Sequence, residues 1–524
     1  AGLPRAPSAL NPLKYPERAR RRRNFVLLKM LEAGFISPSE YRNAVEKPLG
    51  AAWCSFPQGA PHLAMKMRGE IEDHESLRTT LSAEIQGRTE HLLRDHLKGM
   101  TSGLNGAVIV IDVPSAEILG RAGSADYFSK HTGSRVDCCA SPRSPGSALK
   151  PFIYAIAMER RKLYASEIIW DSPVDFGLYA PENFNKTFTG VVTATDALRG
   201  SLNIPAISVL NRIGPEKALM FFRQAGIGTL NKPAEHYGLG LALGDCEVRL
   251  DELAAAYLMI ASLGNYRPLR IVKMPGDPSE RRLLSRGVCM KMFEMLESPA
   301  PAEFARIPYN AAVLAPRFCW KTGTSSDRCD AWAFVFNRHY VVGVWMGRIE
   351  GGPARELVGA EAALPLALRI FHSLKTKDFP EFPEPSDDLC PVRICAQSGL
   401  PATETCPGTM ESLIPRTQSI ARRCRMDHKF IQGAAGREGI KILFPVRGSE
   451  FILTGEADGD RIHPSTTMDQ TDEIHWYQNG RYLGKTTKES NMTLTLSEGE
   501  FTLSCMAATG SVATTEYKVL CTSR

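Results

Sequence analysis

The chain has 524 residues, of which 43% are hydrophobic and 23% charged, and its formal net charge is +6. This length accommodates about three domains, and the composition is that of a globular protein rather than a disordered or fibrous chain. The small positive charge is spread over a large surface and gives no support for nucleic-acid binding.

The start of the chain indicates a fragment. No apolar stretch reaches the ~18–20 residues that span a bilayer, and no signal peptide is present. The first residues, Ala1–Pro4, resemble the middle of a domain, so we expect a membrane anchor upstream of them. Thirteen cysteines are an odd number and many for a cytosolic enzyme, which favours an oxidising compartment.

Residues 1–49 contain two predicted helices. The first spans Pro16–Ala33 and carries the basic run Arg18–Arg23, which we interpret as a solvated helix face. Contact of this run with an anionic lipid or another polyanion is the alternative. The second helix follows Ser37, and Glu40 completes a capping box. Two short helices cannot build a core, so we expect the end of a larger helical domain.

The next segments lead into the largest predicted domain. Residues 50–105 are predicted to be a linker region that includes an amphipathic helix over Ser82–Lys98. Residues 106–122 have the pattern of a β-hairpin with a buried, β-branched first strand. Strands, then many helices, then strands again predict an α+β domain, which we assign to residues 106–373.

Within that domain, Arg143–Phe152 has the pattern of a tight Pro-Gly turn that opens a buried helix. Pro151 fits within the first helical turn, so Ser147 and Lys150 share one face of the helix. A lysine with a lowered pKa can take the proton of a serine, and free N–H groups at the helix end can stabilise an oxyanion. The pair predicts a nucleophilic serine. Taken alone, a surface serine and lysine on an ordinary helix is the commoner interpretation.

A second pair, Ser201 and Asn203, lies on a predicted loop between helices. The Ser201 hydroxyl can pass a proton between Lys150 and a leaving amine. The Asn203 amide can orient the lysine and a substrate amide. By itself such a pair is more often a helix cap.

A third motif ends a predicted strand at Lys321-Thr322-Gly323-Thr324. Gly323 has no side chain, so a ligand can lie against the strand edge. Lys321 supplies positive charge, and the hydroxyls of Thr322 and Thr324 can bind a carboxylate.

The order and spacing of the three motifs are more specific than any one of them. Ser201 follows Ser147 by 54 residues, and Lys321 follows Ser201 by 120 residues. We therefore predict one shared active site. The glycines at 238–244 lack the Gly-Lys-Ser/Thr of a phosphate loop, and no cofactor or metal is expected at the active site.

In these motifs the chain resembles the class A penicillin-binding proteins, and most closely their 1C branch. Pro145–Phe152, Ser201–Asn203 and Lys321–Thr324 match the transpeptidase motifs of that family. Residues 1–8 and 22–34 resemble the end of its glycosyltransferase domain. The catalytic glutamate of that glycosyltransferase lies far upstream of these residues. Glycan polymerisation is therefore not expected from this chain alone.

The resemblance implies D,D-transpeptidation of peptidoglycan through a serine acyl-enzyme, which β-lactams trap covalently. Lys150 would activate Ser147 for attack on the carbonyl between the two terminal D-alanines of a stem peptide. Backbone N–H groups of Ser147 and Thr324 would hold the oxyanion, and Ser201 would relay the proton to the leaving amine. Lys321 and the two threonines of its motif would hold the carboxylate.

The implied partners are stem peptides ending in D-Ala-D-Ala, β-lactams and other proteins of cell-wall synthesis. The implied location is the periplasmic face of the bacterial inner membrane. A D,D-carboxypeptidase and a serine β-lactamase share the motifs, although the deacylating glutamate of a class A β-lactamase is not found. A non-catalytic cell-wall scaffold is the alternative of another class.

The end of the chain divides into two parts. Residues 374–437 are predicted to be a Pro-rich linker with four cysteines, Cys390, Cys395, Cys406 and Cys424. Their spacing contains at most one zinc-type Cys-x2–4-Cys pair, so disulfides are favoured over a metal, with the connectivity open. Residues 438–524 alternate in period two over about seven short strands, which predicts an immunoglobulin-like sandwich.

Overall fold

The protein is represented by a computed structural model, and its chain divides into two units, Ala1–Gly59 and Ala60–Arg524. The structure describes residues 6–51, 59–69, 76–130, 133–172, 183, 188–273, 279–298, 316–384, 386–418, 422–425, 440–453, 460–467, 473–479, 481–486, 492–507 and 512–521.

The helices of the described residues are α1 (Pro16–Glu32), α2 (Pro38–Glu46), α3 (Pro61–Arg68), α4 (Ala83–Lys98), α5 (Lys150–Glu159), α6 (Ala194–Arg199), α7 (Asn203–Ile213), α8 (Pro215–Gln224), α9 (Ala234–Tyr237), α10 (Leu250–Ala261), α11 (Arg286–Leu296) and α12 (Leu364–His372).

The strands are β1 (Asn105–Asp112), β2 (Glu117–Ala122), β3 (Ile168–Asp171), β4 (Gly190–Thr193), β5 (Asn265–Tyr266), β6 (Arg281–Arg282), β7 (Cys319–Thr324), β8 (Asp330–Phe336), β9 (Tyr340–Gly347), β10 (Leu389–Cys395), β11 (Thr409–Pro415), β12 (Ile442–Phe444), β13 (Ser449–Leu453), β14 (Arg461–Ile462), β15 (Ser465–Thr466), β16 (Ile474–Gln478), β17 (Arg481–Thr486), β18 (Leu494–Thr495), β19 (Gly499–Ala507) and β20 (Val512–Cys521).

The first unit contains α1 and α2. The predicted capping box of α2 is confirmed, because the Ser37 side chain accepts from the Glu40 N–H and the Glu40 carboxylate accepts from the Ser37 N–H. Arg23 departs from the solvated face predicted for the basic run. Its guanidinium donates to the carbonyls of Val45 and Lys47 at the end of α2, where a cation stabilises a helix. None of the described helices combines the length and apolarity that a membrane span requires.

The main sheet of the second unit has five antiparallel strands in the order β2-β1-β9-β8-β7. Both of its faces are buried. Ile109 and Phe334 pack towards α5, α7 and α10, while Val110 and Val344 pack towards α4 and α12. The predicted β1–β2 hairpin and the predicted helix α4 are confirmed. Mixed helices and an antiparallel sheet agree with the α+β class. Strand β7 lies at one edge of the sheet.

Helix α5 lies inside this core. Its residues from Lys150 to Met158 are all buried, and Pro151 occupies the first turn as predicted. A 3-10 turn over Gly146–Leu149 precedes α5 directly and carries Ser147. The turn that carries Ser147 is therefore attached directly to a buried helix, which limits its movement.

Part of the predicted linker is folded. Strands β10 and β11 form an antiparallel hairpin in which Cys395 lies opposite Thr409. The Cβ that an alanine would add at Gly287 of α11 would meet the Asp388 carbonyl oxygen at 2.6 Å, so the hairpin base lies directly against α11. Residues 389–415 are thus an ordered attachment rather than an extended connection.

The C-terminal region is all β, as predicted. Its larger sheet has the order β13-β20-β19-β16-β17, with β13 parallel to β20 and the other pairs antiparallel. Each predicted strand overlaps one of β12, β13 or β16 to β20, and Trp476 is buried in the core of this region. The dipeptide Asn479-Gly480 is typical of a hairpin turn between two of the predicted strands, and its Gly480 lies outside the described residues.

Candidate active site

The turn that carries Ser147 touches strand β7 through the backbone. A Cβ added at Gly146, where φ is +51°, would lie 2.2 Å from the Thr324 carbonyl oxygen. A Cβ at Gly323 would lie 2.2 Å from the Pro145 carbonyl oxygen. The missing side chain of Gly323 thus makes room for the Ser147 turn, whereas the sequence pattern pointed to ligand access alone.

Three hydrogen bonds hold the same turn in place. The Trp332 indole donates to the Ser144 carbonyl at 2.7 Å, and the Tyr257 hydroxyl donates to the Ala148 carbonyl at 2.8 Å. The Ser144 hydroxyl donates to the Gly244 carbonyl at 2.8 Å. These bonds reach the turn from β8, from α10 and from the loop before α10, so the position of Ser147 is determined from several sides.

Lys150 is fully buried and uses all three donors of its ammonium group. It donates to the carbonyl oxygens of Ser201 at 2.6 Å and Leu202 at 3.1 Å, and to Asn203 Oδ1 at 2.7 Å. Burial, and after it the positive charge of Lys321, lowers the pKa of Lys150, whereas the Asp171 carboxylate acts in the opposite direction.

Lys321, on β7, also binds Ser201. Its ammonium donates to the Ser201 hydroxyl at 2.9 Å and to the Thr322 carbonyl at 2.8 Å. Burial lowers the pKa of Lys321 to about 7. Ser201 has a φ of +55°, a left-handed conformation that is uncommon for serine. It presents its carbonyl to Lys150 and its hydroxyl to Lys321, and so joins two buried cations.

The structure therefore brings Lys150, Ser201, Asn203 and Lys321 into one hydrogen-bonded group. Ser147 is half-buried on the turn just before Lys150, and its hydroxyl has no hydrogen bond to another described residue.

The two threonines of the third motif do not face the lysine of that motif. Side chains alternate along a strand, so Thr322 and Thr324 lie on the other face of β7 from Lys321. In agreement, the Thr324 hydroxyl accepts a hydrogen bond of 3.0 Å from the Gly359 N–H. The structure thus brings the Lys321 ammonium to Ser201 and the threonine side chains to the opposite side of the same edge strand.

Two residues that belong to none of the predicted motifs support Asn203. The Asn203 N–H donates to Asn183 Oδ1 at 2.8 Å, and Asn183 Nδ2 donates to both oxygens of Asp171 at 2.8 and 2.9 Å. The Thr189 N–H also donates to Asp171. This network ties the end of β3 to the start of α7. The only sequence signal for this network is Asp171, an acidic residue that directly follows the apolar residues of β3.

Two family models match the chain. Residues 106–325 match the penicillin-binding protein transpeptidase domain, and residues 432–519 match the penicillin-binding protein C-terminus family. The chain belongs to the penicillin-binding protein family. Its transpeptidase match includes all of the candidate site residues, from Ser147 to Thr324.

Curated relatives agree with this assignment. Penicillin-binding protein 1C of Escherichia coli (strain K12) is 34% identical over 389 residues, which are 74% of this chain and 50% of that protein. Penicillin-binding protein 1A of Aquifex aeolicus (strain VF5) is 27% identical, over 80% of this chain and 71% of that protein. This penicillin-binding protein thus spans half the length of the E. coli relative, and its resemblance to the class A proteins is confirmed.

Solved structures share the fold. Penicillin-binding protein 1A from Haemophilus influenzae has a TM-score of 0.62 and 18% identity, over 81% of this chain and 86% of that chain. The penicillin-binding protein PonA1 from Mycobacterium tuberculosis has a TM-score of 0.54 and 19% identity, over 63% of this chain and 95% of that chain.

The close contact of Gly323 with the Ser147 turn predicts the effect of a substitution at Gly323. In Gly323→Ala the added methyl group forces β7 away from the Ser147 turn. We expect fluorescent penicillin to label this variant about 100-fold more slowly, because a displacement of about 1 Å in a reactive site has effects of that size. Gly87→Ala is the matched control, since a Cβ at Gly87 on the exposed side of α4 meets nothing within 4 Å. Labelling of Gly323→Ala at the wild-type rate contradicts the contact.

Proposed function

We propose that this penicillin-binding protein is a serine D,D-transpeptidase that cross-links peptidoglycan stem peptides. The observation that carries the proposal is the bridge formed by Ser201 between two buried lysines, beside a serine at the start of a buried helix. A serine one helical turn before a base of lowered pKa, together with a second cation, supplies the parts that acyl transfer to an amine requires.

Acylation begins with the loss of a proton from Lys150. The neutral amine has a lone pair, which accepts the Ser147 proton while Ser147 Oγ attacks the carbonyl carbon of the penultimate D-alanine. The new C–O bond gives a tetrahedral oxyanion, held by the backbone N–H groups of Ser147 and Thr324. When the C–N bond breaks, the Ser201 hydroxyl relays the proton to the nitrogen of the departing D-alanine.

The two lysines have separate roles. Lys150 acts as the base because its burial and the nearby charge of Lys321 both favour its neutral form. Lys321 stays protonated when the substrate carboxylate binds, since an anion beside a buried ammonium favours the charged form. Asn203 orients Lys150 and the amide of the substrate. Thr322 and Thr324 lie on the other face of β7 from Lys321, so this scheme gives their hydroxyls no bond to the carboxylate that Lys321 holds. Gly323 keeps the strand close to the Ser147 turn.

The second half of the reaction transfers the acyl group. An amine of a neighbouring stem peptide attacks the ester, a new amide forms, and Ser147 is released with its proton. Strand β7 is an edge strand of the main sheet, and an extended peptide can pair with the backbone of such a strand. β-Lactams mimic the donor, and the PonA1 protein in complex with penicillin V has a TM-score of 0.53 to this chain.

We propose the remaining assignments on the same basis. The protein acts at the periplasmic face of the inner membrane, together with other proteins of cell-wall synthesis. Its domains are a glycosyltransferase remnant at 1–49, a linker region at 50–105, the transpeptidase at 106–373, a Cys/Pro-rich segment at 374–437 and an immunoglobulin-like sandwich at 438–524. Glycan polymerisation is not assigned to these residues.

A turnover assay tests the reaction itself. The chain is incubated with a pentapeptide donor ending in D-Ala-D-Ala and an excess of an amine acceptor, and the products are separated by mass spectrometry. We expect D-alanine and the amide-linked product in equal amounts, and neither of them from Ser147→Ala. Release of D-alanine with only hydrolysed peptide supports the D,D-carboxypeptidase, and the absence of turnover by acylated protein supports the scaffold. Hydrolysis of nitrocefin over many turnovers supports the β-lactamase.

The lowered lysine pKa values predict a bell-shaped pH profile for acylation by penicillin. The second-order rate constant rises as Lys150 loses its proton, because only the neutral amine is a base. It falls again as Lys321 loses its proton, with a pKa of about 7 in the free enzyme, because a neutral amine does not hold the carboxylate.

The Lys321→Arg variant tests the assignment of the alkaline limb. An arginine stays charged at every working pH, so the fall at high pH disappears from its profile. A wild-type profile with no fall above pH 7, or a fall that persists unchanged in Lys321→Arg, contradicts the role given to Lys321.

A further inference from the structure

Three of the four cysteines in the Cys/Pro-rich segment converge in the structure. The Sγ atoms of Cys395, Cys406 and Cys424 all lie within 4.8 Å of one another. Cys395 ends β10, Cys406 lies in the loop before β11, and Cys424 belongs to the described segment 422–425. Cys390, near the start of β10, is not a member of this cluster.

The number of thiols and their spacing suit a metal ion better than a disulfide. A disulfide joins two sulfurs and excludes the third, whereas one metal ion binds all three. Tetrahedral zinc with Zn–S bonds of about 2.3 Å separates its sulfur ligands by about 3.8 Å, within the spread of this cluster. The spacing of the cysteines along the sequence favoured disulfides, because it lacks the two Cys-x2–4-Cys pairs of a typical zinc site. In the folded chain, however, three cysteines that are distant in sequence lie together.

The loop between the first two cysteines is arranged around the sulfurs. The Thr403 N–H donates to Cys406 Sγ at 3.3 Å, and the Thr403 hydroxyl contacts the same sulfur at 3.5 Å. Such bonds stabilise a thiolate and orient it for a metal. The backbone N–H groups of Cys395 and Cys424 donate to the carbonyls of Leu400 and Pro401 at 2.8 Å each. One short loop therefore positions all three cysteines.

We propose that Cys395, Cys406 and Cys424 bind one thiophilic divalent metal ion, with zinc as the ion of best fit. Binding converts three thiols to thiolates and releases three protons, and the resulting group carries a net charge of −1. The basic residues Arg423 and Arg425, on either side of Cys424 in the sequence, offset that charge. Three sulfurs leave one tetrahedral position for a lighter ligand.

The proposed metal site lies where the segment with β10 and β11 contacts the transpeptidase domain. Arg422, two residues before Cys424, donates to both oxygens of the buried Glu167 at 2.8 and 3.0 Å. The Ile168 N–H donates to the Ser398 carbonyl at 3.0 Å. Glu167 and Ile168 lead into β3, which ends at Asp171. We assign the metal a structural role, at a distance from the reaction at Ser147.

Metal analysis of the full chain tests the proposal. The protein is purified without chelators, and its zinc is measured by mass spectrometry together with the free thiols. We expect about one zinc per chain, and a loss of at least roughly tenfold in Cys395→Ser, Cys406→Ser and Cys424→Ser. Cys390→Ser is the matched control and keeps its zinc. X-ray absorption of the wild type should show three sulfur ligands and one lighter ligand, which avoids any dependence on variant folding.

Two results overturn the proposal. One is a disulfide between any two of the three cysteines, found by peptide mapping of wild-type protein purified in the presence of zinc without reductant. The other is wild-type chain that reacts with fluorescent penicillin, and is therefore folded, but contains no metal or binds zinc through fewer than three sulfurs. The penicillin reaction keeps this test separate from the proposed transpeptidation.

Discussion

The site depends on the bridge that Ser201 forms between two buried lysines. A buried ammonium is costly unless its donors are satisfied. Among the described residues, carbonyl, amide and hydroxyl oxygens accept three hydrogen bonds from Lys150 and two from Lys321, and no carboxylate accepts one. Neutral acceptors leave the repulsion between the two cations in place. Burial and this repulsion lower the pKa of Lys150 and so favour its neutral form, which is the form that the proposed mechanism needs as a base.

Lys321 stays near Ser147 only if the Ser147 turn and β7 remain in contact. The close approach of their backbones at Gly146 and Gly323 maintains that contact. Any larger residue at either position separates the Ser147 turn from the strand that carries Lys321. Hydrogen bonds from Trp332 and Tyr257 hold the other sides of the turn. Lys150, Asn203 and Lys321 thus lie on two helices and a strand of the core, and Ser147 and Ser201 lie on short turns attached to core helices.

Much of this could be predicted from local patterns. Helix α4, the β1–β2 hairpin and the first turn of α5 follow from periodicity, capping and the rules for proline, and three short motifs identified Lys150, Ser201, Asn203 and Lys321. Contacts made only in the folded chain could not be predicted. Asp171 and Asn183 belong to no motif, the cysteine cluster draws on three separate segments, and Gly323 packs against a turn far from it in sequence.

The central claim is that Ser147 is the nucleophile and that the lysine group activates it. Mass spectrometry of the chain after reaction with fluorescent penicillin, beside Ser147→Ala treated in the same way, tests this most directly. The account predicts one stable adduct, on the peptide that contains Ser147, and none in the variant. An adduct on the variant, or no adduct on folded wild-type protein, would contradict it.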